Sequence, residues 1–506
     1  MNGFQNALTI MRNGKSIPLS AIPSLQFEEF RSAIIKSVSE GCRISSLFAM
    51  PPLNGSGVDL VATIADDWNG EIRVVLTNVH GRSFLSLTPE CPQAHLFERE
   101  IAEQYNLIPE GHPWLKPVRF PASAGCDGGR NTSPAIGVMD YYRIEGDEIH
   151  EVAVGPVHAG VIEPGHFRFQ CHGETVYHLE ISLGYQHRGV ENAVIGGPYS
   201  ITPHQMSTLA GDTTIGHSWA YWQAVEALNG VRVPPRAHAI RAIALELERL
   251  ANHVGDLGAL AGDVGYLPTQ SFCGRIRGDL LNMTAVLCGS RFGRQLLCSG
   301  GVRFDLGNNE IGQLLLSLEK AERETAQAVN LMWDSPSVMG RFDNTGAVSR
   351  DLAVQTGLVG PAARACGLER DVRSTHPTGI FQYANIPIST AHYGDVNSRA
   401  FVRWLEIRRS LRFLVEHLQT LLEGPIRTDT HPIRPGQLAV SMIEGWRGEI
   451  CHVAVTGENG AFHRYKIVDP SFHNWFGLAL ALRGQPISDF PLCNKSFNLS
   501  YCGFDL

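Results

Sequence analysis

The sequence predicts an α+β fold, in which an N-terminal α/β domain precedes a larger domain with a central bundle of long helices and small peripheral antiparallel sheets. Apolar residues recur at spacings of three and four through the middle of the chain, which is the pattern of helices with one buried face. Short alternating runs near both ends predict strands. A segment rich in Pro, Gly and Ser, residues 119–150, separates the two regions.

Residues 1–118 mix strand and helix signals. Residues 73–77 and 84–87 predict strands on either side of a His80-Gly81 turn, and residues 97–104 predict a helix. The segment 119–150 contains the run Gly125–Gly129, whose residue types favour turns, and it is therefore predicted to be a linker. The second domain is predicted to comprise residues 151–506.

Three long amphipathic segments dominate the second domain, and because each must bury its apolar stripe, the economical arrangement is a helix bundle. They cover residues 240–257, 311–332 and 401–421. Alternating runs at 152–157, 167–170 and 176–181 predict a small antiparallel sheet before the bundle, and 451–455 predicts a strand after it.

The composition is that of an ordinary globular protein, with 506 residues, 43% hydrophobic and 18% charged. A formal net charge of -8 argues against nucleic acid as a partner, because such proteins concentrate Lys and Arg. The N-terminus lacks the apolar core of a signal peptide. No window approaches the roughly eighteen apolar residues that cross a bilayer. The expected chain is soluble, or lies peripherally on a membrane complex.

Gly184–Glu191 carries a His-Arg-Gly-x-Glu run. It resembles the opening signature shared by the large subunits of nickel-iron hydrogenases and the quinone-reactive large subunit of respiratory complex I. Further motifs follow in family order over residues 152–506, among them Pro234-Pro235-Arg236 and the run 470–474. Residues 98–113 resemble the close of the small hydrophilic subunit of complex I. The chain is thus similar to energy-converting membrane hydrogenases of the formate hydrogenlyase type, with that small domain fused in front.

In the hydrogenases of this family, two Cys-x-x-Cys pairs hold nickel and iron. The eleven cysteines of this chain never fall three apart. The resemblance places the first pair at Ala210 and Thr213 and the second at Ser500 and Gly503. Since a nickel-iron centre needs deprotonated thiolates from both places, the expectation is a degenerate site that binds no metal.

The sequence is also compatible with two other metal sites. One would use Cys493 and Cys502 as ligands, although the alternative is that both are buried structural thiols. The other would assemble a mononuclear site from distant residues, namely Asp212, His217 and His473.

The resemblance to complex I implies a quinone as a possible bound cofactor. His158 matches the loop that faces the quinone headgroup, and Asp263 matches the aspartate that supports its protonation, so both are the candidate catalytic residues. A two-electron reduction of a quinone needs proton donors, which a His near a carboxylate supplies. The quinone-binding tyrosine of the family falls on Gly211, and residues 163–165 replace its second histidine.

His187, Arg188 and Glu191 are predicted to lie beside an iron-sulfur cluster of a neighbouring small subunit, where a cation would raise the cluster's potential. The alternative is that Arg188 pairs with Glu191 inside the fold, and Glu191 is then either that salt-bridge partner or a proton-relay carboxylate. On the central helix, Glu246, Arg249 and His253 share one face, which suggests either ion pairs or a lateral charged path.

The resemblance implies a subunit of an ion-translocating oxidoreductase, peripheral on the cytoplasmic face of the inner or plasma membrane. Its partners would be a small Fe-S subunit and ion-translocating membrane subunits, and it would support electron transfer from the Fe-S subunit to a quinone. The competing interpretation is a non-catalytic scaffold subunit. A third is a divergent nickel-iron hydrogenase.

Overall fold

The structure is a computed structural model and describes residues 8–121, 135–158 and 162–506. The run Gly125–Gly129 and most of its surroundings in the predicted linker lie outside the described residues. Residues 135–148 of that linker form neither helix nor strand.

The N-terminal region is a twisted sheet in the order β1-β6-β5-β4, with β3 added parallel to β6, and it packs against two helices. Its elements are β1 (Thr9–Met11), β2 (Lys15–Pro18), β3 (Ser24–Leu25), α1 (Phe27–Ser39), β4 (Arg43–Met50), β5 (Val58–Asp66), β6 (Glu71–Val79), β7 (Ser83–Leu85), α2 (His95–Tyr105) and β8 (Ile108–Glu110). Both strands predicted around the His80-Gly81 turn are present. They do not pair with each other, since β6 pairs with β5 and β7 pairs with β8.

The second region begins with the predicted small sheet, in the order β11-β10-β9. Its first half contains β9 (Ile149–Val154), β10 (His166–His172), β11 (Thr175–Ser182), α3 (Val190–Ala193), α4 (Thr202–Met206), α5 (Thr214–Asn229), α6 (Pro235–Asp263), α7 (Leu267–Cys288), β12 (Leu297–Cys298), β13 (Gly301–Val302) and α8 (Asn308–Trp333). Its second half contains α9 (Pro336–Phe342), α10 (Arg350–Gln355), α11 (Gly360–Ala365), α12 (Val372–Thr375), α13 (Val396–Gln419), β14 (Gln437–Gly445), β15 (Gly448–Thr456), β16 (Phe462–Val468), α14 (Pro470–Ala481), α15 (Phe490–Phe497) and α16 (Tyr501–Asp505).

The centre of the molecule is the helix bundle that the sequence predicts, formed by α6, α7, α8 and α13. Helix α6 has 29 residues, which makes it about 43 Å long. Its sequence is rich in Ala, Leu, Glu and Arg, all strong helix formers, and Pro235 occupies the first turn, where its missing N–H costs nothing. Most of its side chains are buried, so α6 is the axis around which the other elements pack.

A four-stranded sheet in the order β16-β15-β14-β2 joins the two regions. Strand β2 comes from the N-terminal region, yet it pairs antiparallel with β14, with Lys15 opposite Val440. The predicted strand at 451–455 lies inside β15. The N-terminal region is therefore tied to the large domain by main-chain hydrogen bonds as well as by side-chain packing. None of the helices in the described residues is both long and apolar enough to span a bilayer.

Candidate functional site

Three distant segments converge around Arg188. Its guanidinium donates to the carbonyl oxygens of Thr208 and Leu209, both at 2.8 Å, and of Cys502 at 3.1 Å. Gly189 follows with φ of +63°, a left-handed conformation that turns the chain into α3. The segment before α5 and the C-terminal segment around α16 are thus held together by one side chain.

Arg447 makes a second bridge between the same two segments. Its guanidinium donates to both carboxylate oxygens of Asp212, at 2.6 and 2.9 Å, and to the Asn498 carbonyl oxygen at 2.5 Å. A bidentate pair of this kind fixes orientation as well as distance. The fold therefore brings together the two chain segments at which the resemblance places the ligands of the nickel-iron centre.

The residues that stand at the four expected ligand positions, namely Ala210, Thr213, Ser500 and Gly503, do not suit a nickel-iron centre. Ser500 is the N-cap of α16 and accepts a hydrogen bond from the Gly503 N–H at 2.9 Å. A Cβ at Gly503 would lie 2.8 Å from the Asp469 carboxylate and 2.9 Å from the Ser500 hydroxyl, so a side chain at this position would displace one of them. On the other segment, Ala210 offers only a methyl group, and the Thr213 hydroxyl accepts from the Trp446 indole at 3.1 Å.

The two cysteines considered as alternative ligands, Cys493 and Cys502, belong to no group of metal-binding side chains within the described residues. Burial raises the pKa of Cys493 to about 12 and that of Cys502 to about 11, so both are thiols at neutral pH. Cys502 Sγ lies 3.4 Å from the Ser500 hydroxyl. Across the described parts of the chain, no three His, Cys, Asp or Glu side chains form a metal-binding group, which also argues against the site proposed from Asp212, His217 and His473.

Next to Gly503, four buried side chains form an unbroken hydrogen-bonded chain that the sequence did not reveal. His217 Nε2 lies 3.0 Å from Asp469 Oδ2, His217 Nδ1 lies 3.2 Å from His452 Nε2, and His452 Nδ1 lies 2.9 Å from the Tyr465 hydroxyl. Because a carboxylate only accepts, His217 donates to Asp469 if both imidazoles are neutral, His452 then donates to His217, and the Tyr465 hydroxyl donates to His452. Burial lowers the pKa of His452 and raises that of Tyr465.

The two candidate catalytic residues do not contact each other. His158 is half-buried, and its Nε2 lies 2.9 Å from the Gly165 carbonyl oxygen, with its ring beside Phe167. Asp263 ends α6; partial burial raises its pKa, and Lys495 of α15 opposes that rise. No hydrogen bond joins His158 to Asp263 in the described structure, and residues 159–161 lie outside it.

His187 and Glu191 have different surroundings. His187 is half-buried and its Nδ1 lies 2.7 Å from the Asp505 carbonyl oxygen; burial lowers its pKa. Glu191 is buried and pairs with Arg464 at 2.9 Å and Lys466 at 3.0 Å. Burial disfavours its ionisation, but these cations outweigh burial and lower its pKa to about 2. The alternative pairing of Arg188 with Glu191 is therefore wrong.

The charged face of α6 is buried and paired. Glu406 of α13 is the centre of the cluster, with His253 at 3.0 Å, Arg364 at 2.8 Å and Arg249 also bonded. Glu246 accepts from Arg373 at 2.8 Å and from Ser410 at 2.6 Å. The interpretation of Glu246, Arg249 and His253 as interhelical ion-pairing residues is confirmed.

Comparison with known proteins agrees with the resemblance read from the motifs. Residues 263–438 match the family described as respiratory-chain NADH dehydrogenase, 49 Kd subunit. Formate hydrogenlyase subunit 5 of Escherichia coli (strain K12) is 31% identical over 433 residues, which is 82% of this chain and 76% of the relative.

Two further relatives represent the two branches of the resemblance. Membrane-bound hydrogenase subunit alpha of Pyrococcus furiosus is 30% identical over 366 residues, 69% of this chain and 85% of the relative. NADH-quinone oxidoreductase subunit 4 of Thermus thermophilus is 29% identical over 373 residues, 68% of this chain and 90% of the relative. The chain therefore belongs to the family of large subunits shared by energy-converting hydrogenases of the formate hydrogenlyase type and NADH-quinone oxidoreductases.

Proposed function

We propose that this chain is a peripheral subunit of a membrane-associated, ion-translocating oxidoreductase, and that its nickel-iron site is degenerate. It would lie on the cytoplasmic face, against a small Fe-S subunit and ion-translocating membrane subunits. The names of its relatives, which include a membrane-bound hydrogenase and a quinone oxidoreductase, support this assignment.

The observation that carries the proposal is the position of Asp469. The two segments of the family's metal site are side by side, which indicates that the scaffold is retained. Beside Gly503, however, the Asp469 carboxylate would have to shift to admit any side chain, since a Cβ there would lie 2.8 Å away. The donor set of Ala210, Thr213, Ser500 and Gly503 supplies no thiolate, so activation of hydrogen at such a centre does not fit this chain.

Electron transfer from a neighbouring Fe-S cluster to a quinone is the reaction we assign to this scaffold. Arg188 supports it, because its guanidinium is exposed and yet is held rigidly by three carbonyl oxygens. A positioned cation favours the reduced state of a nearby cluster. His158, half-buried in its loop, is the proposed proton donor to the quinone, with Asp263 as the second candidate.

Purification of the tagged chain from native membranes in mild detergent tests the assignment. We expect mass spectrometry to identify a small Fe-S subunit and membrane subunits, and metal analysis to find iron with nickel far below one atom per chain. Nickel at one atom per chain would restore the interpretation as a divergent hydrogenase. Recovery of the chain alone would contradict the membrane complex.

A non-catalytic scaffold is the second candidate, and Gly211, which the resemblance places at the quinone-binding tyrosine, favours it. The variants His158→Ala and Asp263→Asn should abolish quinone reduction by the assembled complex if the chain is catalytic. A matched control is His172→Ala, because His172 is an exposed histidine at the end of the same sheet. If both site variants keep the activity of the control while the complex remains assembled, the scaffold interpretation stands.

A further inference from the structure

A cavity of about 810 Å³ lies at the far end of α6 from Asp263. Its walls are β2, the C-terminal end of α5, the N-terminal end of α6 and residues 378–383. Helix α5, whose C-terminal end lines the cavity, has 16 residues and is about 24 Å long, and the site around Arg188 lies before its first turn. Its volume falls in the range of pockets that enclose small ligands. None of the residues discussed as catalytic or metal-binding lines it.

The cavity is positively charged in a chain whose formal net charge is -8. Lys15 and Arg232 line it, and within the described structure neither has an ion-pair partner. Arg434 also lines it, and its Nε and Nη2 already donate to two main-chain oxygens and a hydroxyl. Glu226 is the one acidic side chain of the described lining, and Arg241 neutralises it through two bonds of 2.6 and 2.9 Å. Two cationic side chains therefore remain for an anion.

One side of the cavity is apolar and aromatic. Tyr383 is 86% exposed, which is unusual for so large a ring in a folded domain. Ile380 lines the same side. An exposed aromatic face beside two cations suits a ligand with a flat ring and an anionic group.

We propose that this cavity binds a small organic phosphate of about mononucleotide size. Arg232 and Lys15 would hold the phosphate, since guanidinium and ammonium groups are the usual phosphate donors. Tyr383 would pack against its ring. The binding site does not depend on the redox assignment, because none of its lining residues belongs to the proposed redox site.

Titration calorimetry of the purified complex with ADP, inorganic pyrophosphate and adenosine tests the proposal. We expect ADP and pyrophosphate to bind, and the double variant Lys15→Ala/Arg232→Ala to weaken both by at least about tenfold. Tyr383→Ala should weaken ADP and leave pyrophosphate unchanged. The charge-matched control is Lys36→Ala/Arg323→Ala, two exposed cations outside the cavity, which should leave both affinities unchanged.

Three results would overturn the proposal. The first is the absence of measurable heat for ADP and pyrophosphate at concentrations of about 1 mM. The second is an equal loss of affinity in the control variant, which would indicate non-specific attraction of anions. The third is adenosine binding as tightly as ADP, which would show that the cations of the cavity do not recognise a phosphate.

Discussion

Glu248 offers a test of the electrostatics beside the candidate site. It lies on α6, is almost completely buried, and accepts the N–H groups of Ile215 at 2.7 Å and Gly216 at 3.1 Å at the start of α5. Burial outweighs these two bonds and, with Asp212 nearby, raises the pKa of Glu248 to about 8. The side chain therefore keeps its proton at neutral pH. The variant Glu248→Gln has nearly the shape of that protonated form and cannot ionise.

The sign of the effect follows from the two pKa values of Glu248. The folded pKa, about 8, lies above the value of 4.5 for an exposed glutamate. Protonated Glu248 thus contributes its full stabilisation of the folded chain below about pH 4.5. This contribution is lost as the pH rises through 8, because ionisation favours the unfolded chain. Between pH 5.5 and 7.5 the loss amounts to about 3 kcal/mol, at about 1.4 kcal/mol per pH unit. Glu248→Gln has no ionisable group at this position and should not show this loss.

Thermal unfolding at pH 5.5, 6.5 and 7.5 measures this difference. For a chain of 506 residues, the entropy of unfolding is about 1 kcal/mol/K, so 3 kcal/mol corresponds to about 3 °C. We expect the Tm of the native chain to fall by about 3 °C relative to Glu248→Gln over this range. All other groups titrate alike in both proteins and cancel in the comparison. Parallel pH profiles would refute the assignment of a proton to Glu248.

Two further substitutions test the packing around the degenerate site and the bundle. Gly503→Cys should lower the free energy of unfolding by about 1–3 kcal/mol, because the new side chain meets the Asp469 carboxylate. Its control is Gly312→Cys, where nothing lies within 4 Å of the added Cβ. The Tm of Gly503→Cys should be the lower of the two, and equal Tm values would contradict the clash. Glu406→Gln should lower the free energy of unfolding by about 3–5 kcal/mol, since it removes the charge that compensates the buried guanidinium groups of Arg249 and Arg364. Glu319→Gln on the exposed face of α8 is its control in urea unfolding, and similar losses in both variants would show that the buried cluster is not needed for stability.

The sequence predicted the helices of the bundle because each carries its own apolar stripe. Residues 240–257 fall inside α6, which extends to Pro235 and Asp263 through flanking turns whose small and polar residues show no stripe. Strand partners were harder to predict. The strands near 73–77 and 84–87 exist, but each pairs with a different strand, because the choice of partner depends on packing between distant segments.

At the candidate site, too, local features could be predicted and contacts between distant segments could not. The missing Cys-x-x-Cys pairs can be read directly from the sequence, and the two segments that would carry them do meet in the fold. The position of the Asp469 carboxylate beside Gly503 could not be predicted. Asp469 reaches His217 across 252 residues, and a contact at that separation leaves no local signature. Asp469 also caps α14 by accepting from the Ser471 N–H, which is the only one of its roles that a local pattern could suggest.

The pairing of Arg188 with Glu191 failed for a local reason that has a functional consequence. Residues three apart face each other on the surface of a helix, but α3 begins at Val190, after the left-handed Gly189, so Arg188 lies outside it. Glu191 instead takes its cations from β16, through Arg464 and Lys466. Arg188 is left outside the helix, held by carbonyl oxygens that orient its guanidinium without neutralising it. A full positive charge therefore stays at the surface, which is what the proposed iron-sulfur partner requires at this position.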